Sequence, residues 1–327
     1  MVWVEFLFSA AVIVYAATQL AKHGDTIALR TGLGRLFIGL LLLAGATSLP
    51  ELLTTISSLD QGVPDLAAGN LLGSNMFNML LLAVLDMIHR RERILRKAAL
   101  KHALSGSLTV TMIALVTFFI LADFQAQIGW VGLDSLAILL VYSIALRLIQ
   151  KNDAPPGNQP KPEPLPLPPG FPPLWQGILG FLLASAALVI VSPILVRASN
   201  QIAEITGLGA SFIGTTLVAT VTSLPELVTT IAAARLGADD MAIGNLFGSN
   251  MFNMAAIGLT DVFYTPGRFL GVIDPSFLVV AMLGLLMTSV ALIGNLARIE
   301  KRLWIIEADA LLIFLMYFGG IVMLAGA

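Results

Sequence analysis

The sequence predicts an all-α integral membrane protein, with ten transmembrane helices arranged as two inverted five-helix repeats. Three observations predict it. The 327-residue chain is 57% hydrophobic and 12% charged, with a mean hydropathy of +0.90, and soluble domains carry about twice that charge fraction. Its apolar runs reach or exceed the roughly 18 residues that mark a membrane-spanning helix. The 49 residues from Thr31 to Met79 recur without a gap as Thr206 to Met254, 175 positions later, with 31 identities.

The spans are expected at residues 1–22, 33–59, 66–87, 103–122, 128–149, 174–199, 208–234, 239–262, 272–296 and 304–326. The first starts at once (MVWVEFLFSA) and carries Glu5 where a cleavable signal would place Lys or Arg. The break between the second and third rests on Asp60, Gly62, Pro64 and Asp65. That between the seventh and eighth rests on Arg235, Gly237, Asp239 and Asp240.

Ten spans alternate the loops between two sides, and the basic residues sort accordingly. Sixteen fall on one side: Lys22, Arg30, Arg35, six between Arg90 and Lys101, Arg147, Lys151, Lys161, Arg235, Arg298, Lys301 and Arg302. Only Arg197 and Arg268 fall on the other. The basic side is expected to be cytoplasmic, which puts both termini outside. Five spans per repeat is an odd number, so the halves enter the membrane from opposite sides.

The expected organisation is an N-terminal half over 1–150 with its repeat unit at about 31–87, a linker over 151–173, and a C-terminal half over 174–327 with its unit at about 206–262. Residues 152–173 hold 10 of the 16 prolines. They are expected to form a semi-rigid polyproline II spacer on the cytoplasmic side. There is no cysteine, hence no disulfide and no thiolate metal site. Nothing marks a nucleic-acid surface or calls for an obligate protein partner.

The most alike parts of the repeat are the most polar. TSLPE (Thr47–Glu51) matches Thr222–Glu226, and GNLLGSNMFNM (Gly69–Met79) matches GNLFGSNMFNM (Gly244–Met254). A carboxylate inside an apolar span is costly and seldom present without a use. Ala44, Thr47, Glu51 and Thr54/Thr55 share one helix face, as do Ala219, Thr222, Glu226 and Thr229/Thr230. Pro50 lacks an N–H, so the carbonyl of Ala46 loses its helical partner and the turn opens; Pro225 does the same in the second copy. An opened turn at membrane depth must face protein or a wet cavity. Asn70, Ser74 and Asn78 recur at a spacing of four, as do Asn245, Ser249 and Asn253, and Gly69, Gly73, Gly244 and Gly248 permit close approach beside them.

Taken singly, these features have plainer readings. The prolines could be kinks, the Gly and Ser positions packing surface, and Asn70 and Asn245 interhelical hydrogen bonds. Two inverted copies converging at the midplane favour one composite site instead. Its side chains offer only oxygen, and His23, His89 and His102 lie outside the motifs. Hard cations suit such a set, calcium above all, and two carboxylates neutralise one divalent ion. Interrupted hydrophobic segments at corresponding positions of two halves point to a secondary transporter rather than an enzyme.

At these residues the chain resembles the calcium/cation antiporter superfamily, in its sodium/calcium exchanger branch. GATSLPE (Gly45–Glu51) with GSNMFN (Gly73–Asn78), and TVTSLPE (Thr220–Glu226) with GSNMFN (Gly248–Asn253), carry the resemblance. It implies a sodium/calcium exchanger-like fold and antiport of sodium against calcium at one shared midplane site. No cofactor is implied beyond the transported Ca2+ and Na+, and no partner beyond the ions and the lipid bilayer. By resemblance, Glu51 and Glu226 are the central carboxylates. Thr47, Ser48, Thr222 and Ser223 are hydroxyl or nearby ligands, Ser74, Asn78, Ser249 and Asn253 complete the set, and Ala44 and Ala219 contribute backbone carbonyls. The first and sixth spans are expected to slide against an eight-helix core, exchanging three sodium ions for one calcium.

Two departures matter. Thr220 stands opposite Gly45, leaving the ligands unaffected. Asn253 fills a position where potassium-dependent members, and some microbial ones, carry Asp, which favours a potassium-independent exchanger. The linker is too short for the calcium-sensing domains of animal members, which points to a microbial plasma (inner) membrane. The alternative is a proton-coupled or differently selective divalent cation exchanger. A cation channel fits less well, since the chain has neither a ring of charge nor a filter loop.

Overall fold

The computed structural model describes residues 2–33, 35–60, 62–88, 99–153, 170–206, 219–297, 302–303 and 306–325. Among these, helices follow the apolar runs: α1 (Val2–Thr31), α2 (Arg35–Asp60), α3 (Pro64–Ile88), α4 (Ala99–Ala122), α5 (Leu133–Asp153), α6 (Leu174–Thr206), α7 (Leu224–Arg235, preceded by helical residues 219–222), α8 (Asp239–Phe263), α9 (Phe277–Ala297) and α10 (Ala308–Ala325). Two short antiparallel hairpins join neighbours: β1 (Gln127–Ile128) with β2 (Val131–Gly132) before α5, and β3 (Arg302–Leu303) with β4 (Ile306–Glu307) before α10. Among the described residues seven helices are long and apolar enough to cross a membrane: α1 to α6 and α9. The polyproline II expectation and the start of the seventh span fall on residues 154–169 and 207–218, outside the described residues.

Two helices outrun their expected ends by more than four residues. α1 continues to Thr31 rather than 22, and α6 to Thr206 rather than 199. Hydropathy stops where charge begins, but a helix stops where its backbone does. α1 ends at Gly32, whose φ of +66° is the left-handed stop that glycine supplies. The extra length of α1 is also held: Asp25 accepts two bonds from Arg35 of α2 (2.6 and 3.2 Å), and Arg30 donates to the carbonyls of Pro172 (2.8 Å) and Phe171 (2.6 Å) just before α6. Lys22 therefore lies within α1 and not in a loop. α9 begins at Phe277 rather than 272 because Asp274 caps the turn, accepting from Ser276 N (2.8 Å).

The packing sorts the helices by polarity. α8 is enclosed by α2, α3, α4, α5 and α7, and it can therefore bury Asn245, Asn250, Asn253 and Asp261 completely. α3 is almost as enclosed. Leu7 and Phe8 on α1, Leu140 on α5, Leu182 and Leu183 on α6 and Phe318 on α10 point outward, as expected where the solvent is lipid. α1 and α6 pack mainly on each other, α1 also on α7 and α6 also on α2. Gly177 and Gly180 of α6 make room there for Thr26 and His23 of α1.

Part of the contact between α2 and α8 is made by backbone. The α2 turn at Gly39–Leu43 is a π-helix, with Gly39 against the carbonyl of Met241, while Gly244 and Gly248 receive the backbone of Leu36 and Leu40. Removing the Cβ at these points lets two helices close to van der Waals contact.

On the opposite side of the bundle from the α1–α2 turn, Arg268 is buried. Its Nη2 donates to Asp134 (2.6 Å) and its Nη1 to Asp123 (3.2 Å). Asp261 accepts from the backbone N–H groups of Gly132 (2.6 Å) and Phe269. One of the two cations on the minority side is thus an internal ion pair rather than a loop charge.

Two predictions follow from this packing. An added Cβ at Gly248 would meet Leu40 O at 2.5 Å, whereas one at Gly45 meets nothing within 4 Å. Gly248→Ala should lower stability by about 1–3 kcal/mol, while Gly45→Ala should stay within about 0.5 kcal/mol, read as unfolding midpoints in detergent. In this cysteine-free chain, single cysteines at Gln125, before α5, and Lys161, after it, should be labelled by an impermeant maleimide from opposite faces of the membrane. Labelling of both from one face would remove α5 as a span.

Candidate functional site

The site is built on two broken helices. α2 is interrupted at Ser48 (φ −90°, ψ 2°) and the seventh helix at Ser223 (φ −87°, ψ 9°), each two residues before its proline. The interruption is a single residue wide. Ser48 N still donates to Ala44 O (2.9 Å) and Ser223 N to Ala219 O (3.1 Å), and the ladder resumes with Leu52 N to Ser48 O (3.2 Å) and Leu227 N to Ser223 O (3.1 Å). The missing proline N–H thus opens the turn where the sequence places it, and the two serines swing toward the opposite repeat.

The hydrogen bonds at the break are crossed. Ser48 Oγ donates to Glu226 Oε1 (2.9 Å), and Ser223 Oγ donates to Glu51 Oε1 (3.1 Å). Each carboxylate is oriented by the serine of the other half. Ser249 Oγ adds a longer bond to Glu226 Oε1 (3.4 Å), and Ser74 Oγ lies 3.1 Å from Ser223 Oγ. All six side chains are buried.

Asn70 and Asn245 hold the scaffold rather than the centre. Asn70 Nδ2 donates to the carbonyl of Glu51 (3.0 Å) and to Thr55 Oγ1 (3.2 Å), and its Oδ1 accepts from Thr222 (3.1 Å). The mirror arrangement has Asn245 Nδ2 donating to Thr230 Oγ1 (3.1 Å) and its Oδ1 accepting from Thr47 (3.4 Å). Thr47 and Thr222 also reach back to the carbonyls of Ala44 (3.3 Å) and Ala219 (3.2 Å). The interhelical reading of Asn70 and Asn245 is therefore the one the geometry realises. Thr229 instead donates to Ala17 O on α1 (3.3 Å).

Two residues were not singled out from the sequence. Asn75 and Asn250, inside the GSNMFN motifs, are buried and pair across the repeats with Asn253 and Asn78. Their i, i+3 spacing from Asn78 and Asn253 places them beside the ligand face, a signal legible only once α3 and α8 are known to face each other.

Glu51 Oε2, Glu226 Oε2, Asn78 Oδ1 and Asn253 Oδ1 are buried and have no hydrogen-bond partner among the described residues. A buried acceptor left without a proton costs about 1–3 kcal/mol, and a cation satisfies it without supplying one. The donor set consists of two carboxylates with neutral hydroxyl and amide oxygens, which is hard-cation chemistry. Among the described residues no three His, Cys, Asp or Glu cluster as a metal cage would need.

Known proteins resemble this chain in sequence and fold. The family model described as "Sodium/calcium exchanger protein" matches residues 1–149 and 176–325. The inner membrane protein YrbG of Escherichia coli is 31% identical, over 80% of this chain and 78% of its own. The sodium/calcium exchanger MaX1 of Methanosarcina acetivorans is 29% identical, over 81% of this chain and 84% of its own. Among solved structures, the sodium-calcium exchanger NCX_Mj superposes with a TM-score of 0.71 over 98% of this chain and 99% of its own, at 22% identity. The shared ten-helix inverted-repeat fold and the match of the family model over nearly the whole chain carry one conclusion: the chain belongs to the sodium/calcium exchanger protein family.

Proposed function

We propose that the chain exchanges sodium for calcium by alternating access, both ions competing for the oxygen-lined site between α2, α3, α7 and α8. The crossed Ser48–Glu226 and Ser223–Glu51 bonds, with four buried oxygens that face no proton, carry this reading. Glu51 and Glu226 supply the charge for one calcium. Thr47, Ser48, Ser74, Asn78, Thr222, Ser223, Ser249 and Asn253 supply neutral oxygens that seat sodium ions. The carbonyls of Ala44 and Ala219 join them when the hydroxyls of Thr47 and Thr222 turn away. The arrangement of α1 and α6 supports a sliding pair, since both pack on each other and on the broken helices.

Coupling follows from charge. Two carboxylates without a cation leave the site at −2, a charge that resists crossing a low-dielectric barrier. Only the loaded forms then switch between states, which makes the process exchange rather than leak. The proposed organisation has halves 1–150 and 174–327 joined by residues 151–173 on the cytoplasmic side, with both termini outside, in a microbial inner membrane. The charge sorting of the loops and the likeness to a bacterial inner membrane protein support this placement. Neutral Asn78 and Asn253 support transport without potassium.

Glu51→Gln and Glu226→Gln should each abolish sodium-dependent calcium uptake in proteoliposomes, because each halves the charge and turns an acceptor into a donor. Near-normal flux in either folded variant would refute the two-carboxylate site. Exchange of three sodium ions for one calcium moves one net charge, worth roughly 2.3 kcal/mol per 100 mV. With equal ions on both sides, an inside-positive potential set with potassium and valinomycin should therefore drive net calcium uptake. Flux indifferent to the potential would indicate neutral exchange, with two sodium ions or two protons per calcium.

A further inference from the structure

We infer that Asn75 and Asn250 are positioning residues: each fixes the amide of a ligand asparagine on the facing helix so that its oxygen, not its NH2 group, is presented to the ion. The inference rests on the exchange site proposed above and assigns a role to two residues outside its ligand set.

An asparagine amide is nearly symmetric in shape, yet its two ends are opposite in function. One carries lone pairs that a cation accepts, and the other carries protons that repel it. A ligand asparagine is therefore useful only if something holds it the right way round. Asn78 and Asn253 both need this, and both have it. Asn78 Nδ2 donates to Asn250 Oδ1 (3.0 Å), and Asn253 Nδ2 donates to Asn75 Oδ1 (3.3 Å). With the nitrogen ends engaged, Asn78 Oδ1 and Asn253 Oδ1 are the ends left without a partner among the described residues.

The orientation of Asn250 is itself dictated by backbone chemistry. Its Nδ2 donates to the carbonyl of Asn75 (3.3 Å), a group that can only accept. Asn250 must then turn its oxygen toward Asn78, and Asn78 must turn its nitrogen toward Asn250. A main-chain carbonyl on α3 thus sets an α8 side chain, which in turn sets a ligand back on α3. All four amides are buried, away from water that would otherwise satisfy either end. Such outer partners orient metal ligands generally, and their loss costs about 10–100-fold in affinity.

The test is calcium titration calorimetry on the full-length purified protein in sodium-free detergent buffer. Asn250→Leu keeps the volume and removes the acceptor, so the calcium dissociation constant should rise about tenfold or more. Asn250→Asp, still able to accept from Asn78, should bind calcium more tightly than the Leu variant. In an Asn78→Ser background, whose short side chain no longer meets Asn250, the Leu substitution should cost less than about twofold, because the effect runs through Asn78. In an Asn253→Ser background it should keep its full cost. If Asn250→Leu does not fold, Asn75→Leu replaces it, with the two backgrounds exchanged.

Dissociation constants of the Leu variants within about twofold of the unmodified protein, or an equal cost in both backgrounds, would overturn the positioning role alone. An unmodified protein that binds no calcium would instead overturn the exchange reading on which it rests.

Discussion

Two carboxylates are buried at the centre of this protein, and among the described residues no basic side chain stands beside them. Most of the architecture answers that constraint. An isolated carboxylate in a low-dielectric interior is far too costly unless hydrogen bonds and a counter-ion compensate it. The hydrogen bonds come from serines that only a broken helix can aim across the bundle. The breaks in α2 and α7 are tolerable only inside protein, so both pack on the enclosed α3 and α8, and glycines on α8 admit the backbone of α2. The counter-ion is left to come from solution, which makes the site a transport site in the proposed reading.

Buried charge of another kind stabilises the far side. Arg268, from the second half, is gripped by Asp123 and Asp134 from the first, with Asp261 fastening the adjacent backbone. Breaking such a pair by removing one partner costs about 3–5 kcal/mol. The pair ties α4 and α5 to the α8–α9 turn, and no comparable ion pair among the described residues ties α6 to α3, α4 or α5. The Arg35–Asp25 pair in turn ties α1 to α2, so ion pairs anchor the bundle at two separate places.

The sequence was most readable where one local cause has one local effect. Pro50 and Pro225 break their helices beside them, and the matched TSLPE and GSNMFN motifs come together as the duplication required. It was less readable where the cause lies on another helix. The tail of α1 past Lys22 is held by Arg35 and by the carbonyls of Phe171 and Pro172, partners that hydropathy does not see. Asn75 and Asn250 differ from Asn78 and Asn253 only by which way α3 faces α8. The π-helical turn at Gly39–Leu43 likewise lies against Met241, some 200 residues away in the chain.

The crossed serine–glutamate bonds also bear on how such a molecule can arise. Each half carries one glutamate and one orienting serine, but its own serine serves the other half's glutamate. A five-helix protein made of one half would hold its carboxylate without the hydroxyl that aims it. It would complete the site only by pairing with a copy of itself inserted upside down. Such an ancestor would need loops balanced enough in charge to enter the membrane both ways. Fusion into one chain removes that need, since the two orientations are then specified separately. Each half is afterwards free to drift, as Thr220 opposite Gly45 shows, wherever the crossing bonds are not involved.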